Sequence, residues 1–255
     1  MEEINEETKR KLVIPGDFLG TGRPSHGTFL ENGKVYSKVI GLADEKNGVH
    51  FVIPLNGVYD PKRGDGIIGR IEDVVFSKWI VDINSPYDAT LPLNEAVEEF
   101  IDFTKTDLTK YFDYGDLIFA EITSVTKTKI IQLSMKSNRC RKLRGGRIVK
   151  VTPAKVPRII GKNGSMVEMI KDLTGTQIVV GQNGVVWIKG EKEDLATEAI
   201  LLIEQRSHIS GLTEQIKQML EKTTNKSFVQ KEKVQPKEQE DVDVFQNEDD
   251  EYDQN

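Results

Sequence analysis

The segment Ile159-Ile160-Gly161-Lys162-Asn163-Gly164 constrains this chain more than any other. Two glycines three positions apart enclose a basic and an amide residue. Behind them, Ser165 to Leu173 carries Met166, Met169, Ile170 and Leu173 on one helical face, with Glu168, Lys171 and Asp172 on the other. The glycines therefore join two short helices. A loop of this kind lets a sugar-phosphate backbone approach closely, because glycine carries no side chain and tolerates unusual dihedrals. The following helix presents free N–H groups and the positive end of its dipole to a phosphate, and Lys162 adds a mobile charge.

The surroundings agree with this reading. Gln177 to Val180 and Val185 to Ile188 are β-branched runs joined through Gln182-Asn183-Gly184, a hairpin signal. Upstream, Gly146 to Val151 alternates as a strand, and downstream Ala196, Ala199, Ile200 and Ile203 share a helical face. The order strand, helix, GxxG, helix, strand, strand, helix over 145–206 resembles a type I KH domain, whose loop clamps about four nucleotides.

Charge is unevenly divided. The formal net charge is −6, yet residues 230–255 hold ten acidic and three basic side chains, a net of −7. Residues 136–171 carry eleven Lys or Arg against the single acid Glu168, whereas residues 1–135 sum to −7. The stripe Lys136, Arg139, Arg141, Lys142, Arg144, Arg147 and Lys150 leads into the loop, as an electrostatic footprint for nucleic acid would. The sites expected to contact RNA are Arg144, Arg147, Lys150, Arg158, Gly161, Lys162, Asn163 and Gly164, with Arg70 and Lys78 further upstream.

Residues 61–137 read as five strands: 66–74, 79–83, 88–93, 115–122 and 130–134, with a polar insertion at about 94–113. Strands of this spacing form a small closed barrel. A Gly-Asp pair opens both the first and the fourth, as Gly64-Asp65 and Gly115-Asp116. This is similar to the OB-type domain repeated in ribosomal protein S-one. Such barrels hold single strands in a positive groove with exposed aromatics. Arg70, Lys78 and Trp79 are the candidates here; Trp79 alternates with Val81 and Ile83, so stacking on bases and packing in the core both stay open. The family's Phe-Gly-Ala-Phe turn is replaced by Phe76-Ser77-Lys78-Trp79, and its His-Ile-Ser patch by Leu91-Pro92-Leu93.

Residues 11–60 form a third β-rich unit, with a Pro15-Gly16 turn and strands at 35–40 and 50–55. Gly20 to Gly27 lacks the Gly-Lys-Ser/Thr ending of a phosphate loop, and Pro24 would break the helix that should follow; it reads as a surface loop. Residues 207–225 suggest a helix bearing Ile209, Leu212, Ile216 and Met219, fit to extend the KH core or to meet a partner. From 226 the chain is polar and acidic and reads as a disordered tail; a solubilising role, a dock for a basic partner and a repellent of nonspecific RNA are open. Residues 1–10 read as flexible and without the apolar centre of a secretory signal, and 138–144 as a basic linker. The lone Cys140 and three scattered histidines give no disulfide and no metal spacing, which suits a cytoplasmic protein without cofactor or metal.

The expected fold is thus multidomain, β plus α+β: a small N-terminal β domain, a five-stranded OB-type barrel, a KH domain and an acidic tail. With Val13-Ile14-Pro15-Gly16-Asp17 at one end and Lys155-Val156-Pro157-Arg158-Ile159-Ile160-Gly161-Lys162-Asn163-Gly164-Ser165-Met166 at the other, it resembles the archaeal exosome RNA-binding cap subunit. That resemblance implies a noncatalytic protein, present as three copies on a ring of phosphorolytic exonuclease subunits. Its N-terminal domain would dock on the ring, and the protein would guide single-stranded RNA 3′ ends into it. A transcription or translation factor with OB and KH modules is the alternative, although such factors usually carry a second KH copy and no second Ile-Gly-x-x-Gly follows residue 190. No clustered carboxylates suggest a nuclease centre.

Overall fold

The computed structural model describes residues 11–97, 108–207 and 211–224. The expectations for the flexible N-terminus, for Ile209 and for the acidic tail lie outside these residues, as does the middle of the polar insertion.

Seven short strands build the N-terminal unit: β1 (Lys11–Val13), β2 (Phe18–Gly20), β3 (Arg23–Pro24), β4 (Thr28–Glu31), β5 (Lys34–Ser37), β6 (Gly41–Lys46) and β7 (Val49–Pro54). They form two sheets, ordered β1-β6-β7-β3 and β2-β5-β4. The β4–β5 and β6–β7 hairpins turn at Asn32-Gly33 and Asn47-Gly48, where all four residues have positive φ. Asn-Gly suits such turns because both residues enter the left-handed region at low cost. The segment Gly20 to Gly27 is largely exposed, yet it contains β3, which runs parallel to β7.

The barrel comprises β8 (Gly66–Val75), β9 (Lys78–Asp82), β10 (Ala89–Pro92), the single turn α1 (Leu93–Ala96), β11 (Leu117–Val125) and β12 (Ile131–Ser134). The order β12-β10-β9-β8-β11 closes through the β11–β12 pairing, as the sequence reading expects of a five-stranded barrel. Ile67, Ile71, Val81, Leu91, Ile118 and Leu133 fill it. Trp79 lies there too, fully buried. Its indole N–H donates to the Phe112 carbonyl at 2.9 Å, and its ring meets that of Phe112 edge-on at 5.3 Å. Trp79 is therefore core and offers no face to a base. Residues 138–144, expected as a linker, carry β13 (Arg141–Leu143), which adds to the free side of β11.

In the last domain β14 (Arg147–Lys150), α2 (Val156–Ile160), α3 (Ser165–Thr174), β15 (Gln177–Val180), β16 (Val185–Lys189) and α4 (Glu193–Gln205) follow the expected KH order. The antiparallel sheet β14-β16-β15 packs the helices on one face. A further helix, α5 (Leu212–Thr224), lies against α3 and buries Leu212, Ile216 and Leu220, so it extends this core.

The other face of the KH sheet meets the barrel. Val185 and Trp187 pack with Ile68, Phe119 and Leu143 in a separate apolar cluster. This explains why β8 departs from simple alternation: Ile67 enters the barrel, while its neighbour Ile68 meets the KH sheet. The β15–β16 turn is inserted beside β8. Asn183, fully buried, donates from Nδ2 to the carbonyls of Ile68 (2.7 Å) and Ile83 (2.9 Å), and its Oδ1 accepts from the Ile68 N–H. The Gln182 N–H donates to the Gly66 carbonyl at 2.9 Å.

Candidate nucleic-acid interface

The loop between α2 and α3 is a tight turn set by its backbone. Gly161, Asn163 and Gly164 all have positive φ, at 75°, 53° and 82°. A Cβ on Gly161 would lie 2.7 Å from Met166 Cβ, so the loop closes against α3 only with glycine there. Asn163 is one of the few non-glycine types that occupy the left-handed region readily. Within the loop this leaves Lys162 as the one side chain not chosen for conformation. Lys162 and Asn163 are exposed, and Gly164 caps the N-terminus of α3. A tight turn over Lys162–Gly164 runs into α3, with the Gly164 N–H donating to the Gly161 carbonyl and the Ser165 N–H to that of Lys162. A phosphate resting here meets the positive end of the α3 dipole and the Lys162 ammonium together.

The structure sorts the other predicted contacts. Arg158 is half-buried on α2. Arg147 pairs with Asp194 at the start of α4 (2.6 Å). Arg144 is exposed just after β13. Arg70 and Lys150 come together across the domain junction: both line a notch of about 100 Å³ with Asp82 and Asn84. Lys78 does not join them. In the β8–β9 pairing Arg70 sits opposite Asp82, while Lys78 is at the other end of β9, opposite Val75.

Much of the basic stripe is turned toward the barrel. Lys136 pairs with Glu95 (2.9 Å), Arg139 with Glu121 and Lys142 with Asp116. Burial would raise the Asp116 pKa, but hydrogen bonds from Lys142 and the Asp113 N–H outweigh it and hold the carboxyl below its ordinary value. Hydrogen bonds from Lys136 and Ser134 lower Glu95 likewise. The approach to the loop is therefore less positive than its composition suggests. Sequence reading missed this because the acids are distant in the chain. It also missed Asn183 as a junction residue, for Gln182-Asn183-Gly184 looks like any other hairpin turn. Among the described residues no group of three or more His, Cys, Asp or Glu side chains is placed to hold a metal ion, and no helix is long and apolar enough to cross a membrane.

Comparison with known proteins agrees with this division of the chain. Residues 10–56 match the family model for the exosome RNA binding protein RRP4 N-terminal domain, residues 58–124 that for the RRP4 S1 domain, and residues 146–194 that for a KH domain. The exosome complex component Rrp4 of Thermococcus kodakarensis is 50% identical over 218 residues, spanning 83% of this chain and 85% of the relative. The chain belongs to the Rrp4 family of exosome components. The Rrp4 of Pyrococcus furiosus is also 50% identical, over 83% of each chain, and that of Methanobrevibacter smithii 47%, over 83% of this chain and 71% of its own. Among solved structures, a crystal structure titled as a putative exosome complex RNA-binding protein superimposes with a TM-score of 0.59 at 32% identity, covering 65% of this chain and 97% of that one. Family membership places the three domains in one known combination and leaves no need for the transcription-factor alternative.

Proposed function

We propose that this protein is a noncatalytic, cytoplasmic RNA-binding component of an exosome, holding single-stranded RNA at the Gly161–Gly164 loop. The observation that carries this reading is the exposed Lys162, set beside the N-terminus of α3 in a chain with the Rrp4 domain order. The loop, Arg144 and the Arg70–Lys150 notch are the contacts we assign to RNA. Lys78 stands apart, and Arg147 reaches a phosphate only by leaving Asp194.

The protein sits in three copies as a cap on a phosphorolytic exonuclease ring and delivers 3′ ends to it. Docking falls to the N-terminal unit, which exposes Leu12, Ile14, Phe18, Leu30 and Ile40 by more than half. Phe18 and Phe29 flank Tyr36 at 5.8 and 5.7 Å, giving the β2-β5-β4 sheet an aromatic surface of the kind that marks protein contacts. Reconstitution tests the assembly. The purified chain alone leaves RNA at full length, with or without phosphate and divalent metal. Added to such a ring it co-elutes and raises RNA turnover, and a form lacking residues 1–60 does not co-elute. Shortening of RNA by the isolated chain, or retention of the truncated form on the ring, contradicts the respective half of the proposal.

A further inference from the structure

A cleft of about 770 Å³ opens where the N-terminal unit faces α2 of the KH domain. One wall is apolar, made by Pro153, Val156, Pro157 and Ile160. Gly161 lines the same cleft, so cleft and phosphate loop share an edge. The facing wall comes from the N-terminal unit and the first residues of the barrel: beside apolar Val39, Pro54 and Val58 it presents His26, Lys38, Asn56 and Lys62.

Two acids also line the cleft, but both are engaged. Asp60 pairs with Lys129 Nζ at 2.6 Å. Asp65 accepts from the Tyr59 hydroxyl at 2.6 Å and from the Lys62 backbone N–H at 3.2 Å. Burial and the bond to Asp65 push the Tyr59 hydroxyl far above its usual pKa, so it remains the donor in that bond. Lys38 and Lys62, by contrast, are exposed and make no ion pair with any described residue. Partial burial and Lys62 hold His26 below its ordinary value, leaving a neutral imidazole with one donor and one acceptor at neutral pH.

An apolar wall, two free ammonium groups and a neutral imidazole with an amide match the parts of a nucleotide. A base face gains from burial against apolar carbon, its edge needs donors and acceptors, and its phosphate needs positive charge. The volume falls within the range of about 300–1,000 Å³ common for small-ligand sites. We propose that this cleft holds one unstacked nucleotide of the single-stranded RNA that lies on the Gly161–Gly164 loop. Its base rests on Pro157 and Ile160, and its phosphate faces Lys38 and Lys62. This rests on the RNA-binding reading above and extends it: the N-terminal unit, expected only to dock, supplies part of the RNA site.

The test uses the full chain with Lys38 and Lys62 both changed to alanine. Both are exposed, so the fold should persist, and circular dichroism checks that it does. Affinity for a short oligouridylate should fall at least about fivefold at low salt, since two phosphate-facing charges are lost. A control variant, Lys46→Ala with Lys127→Ala, removes the same net charge from exposed positions away from the cleft and should change affinity little. With 4-thiouridine in the strand, crosslinks should map to peptides containing His26, Lys38 or Pro157 and weaken in the cleft variant. Wild-type affinity and crosslinks in the cleft variant, alongside a loss in Lys162→Asp, would overturn the cleft assignment alone. If Lys162→Asp also binds as the wild type does, the underlying RNA reading falls with it. A cleft that seats a protein segment instead gives the first of these results.

Discussion

At the scale of single residues, the loop separates conformation from chemistry. Asn163 has φ of 53°, where a β-branched side chain is strained, whereas Lys162 is free to be replaced. Asn163→Val should therefore lower stability by about 1–3 kcal/mol through backbone strain. Lys162→Asp should leave the denaturation midpoint within error. Urea unfolding of both variants checks the contrast, and equal midpoints would deny the left-handed role of Asn163. Trp79 gives the converse lesson. Its alternation with Val81 and Ile83 was visible in the sequence, but only the Phe112 carbonyl and ring settle its place in the core. Trp79→Ala should cost about 3–5 kcal/mol and lose cooperative unfolding before it tells anything about RNA.

Among the elements, the β15–β16 turn and β13 hold the barrel and the KH domain together. Asn183→Ala would leave the Ile68 N–H and the carbonyls of Ile68 and Ile83 without their partner in a buried place. Each orphaned group costs about 1–3 kcal/mol, so a total loss of about 3 kcal/mol is expected after partial relaxation. Calorimetry that shows no change would mean the two domains do not depend on this turn. The Lys142–Asp116 and Lys136–Glu95 ion pairs predict a pH effect. Asp116 and Glu95 have pKa values lowered in the folded state, so their contribution is complete above the ordinary carboxylate range. It is lost as pH falls through that range into the depressed values. Stability should drop on acidification, and the drop should be smaller in Asp116→Asn with Glu95→Gln; an identical drop would put the acid sensitivity elsewhere. The helices, barrel strands and KH order were legible because local period and turn chemistry set them. The Asn32-Gly33 and Asn47-Gly48 turns carried the same kind of signal and mark hairpins the sequence reading passed over. The partners of Lys136, Arg139, Lys142 and Asn183 were not legible, since each lies across a tertiary contact that no local pattern encodes.

For the whole molecule, the proposed function divides labour along a path that runs through all three domains. In the proposed function an apolar N-terminal surface serves assembly and the KH loop serves phosphate, while the barrel–KH junction ties the loop-bearing domain to the barrel. The central claim is that this path binds RNA through Lys162, and a salt titration tests it most directly. Affinity for a single-stranded RNA oligonucleotide should be measured across ionic strengths for the wild type and for Lys162→Asp. The account predicts at least about tenfold weaker binding at low salt, because a favourable phosphate contact becomes a repulsive one. The slope of log K against log salt should be shallower by about 0.7, the value for one lost phosphate contact on a single strand. Equal affinity and equal slope in a folded variant would contradict the account.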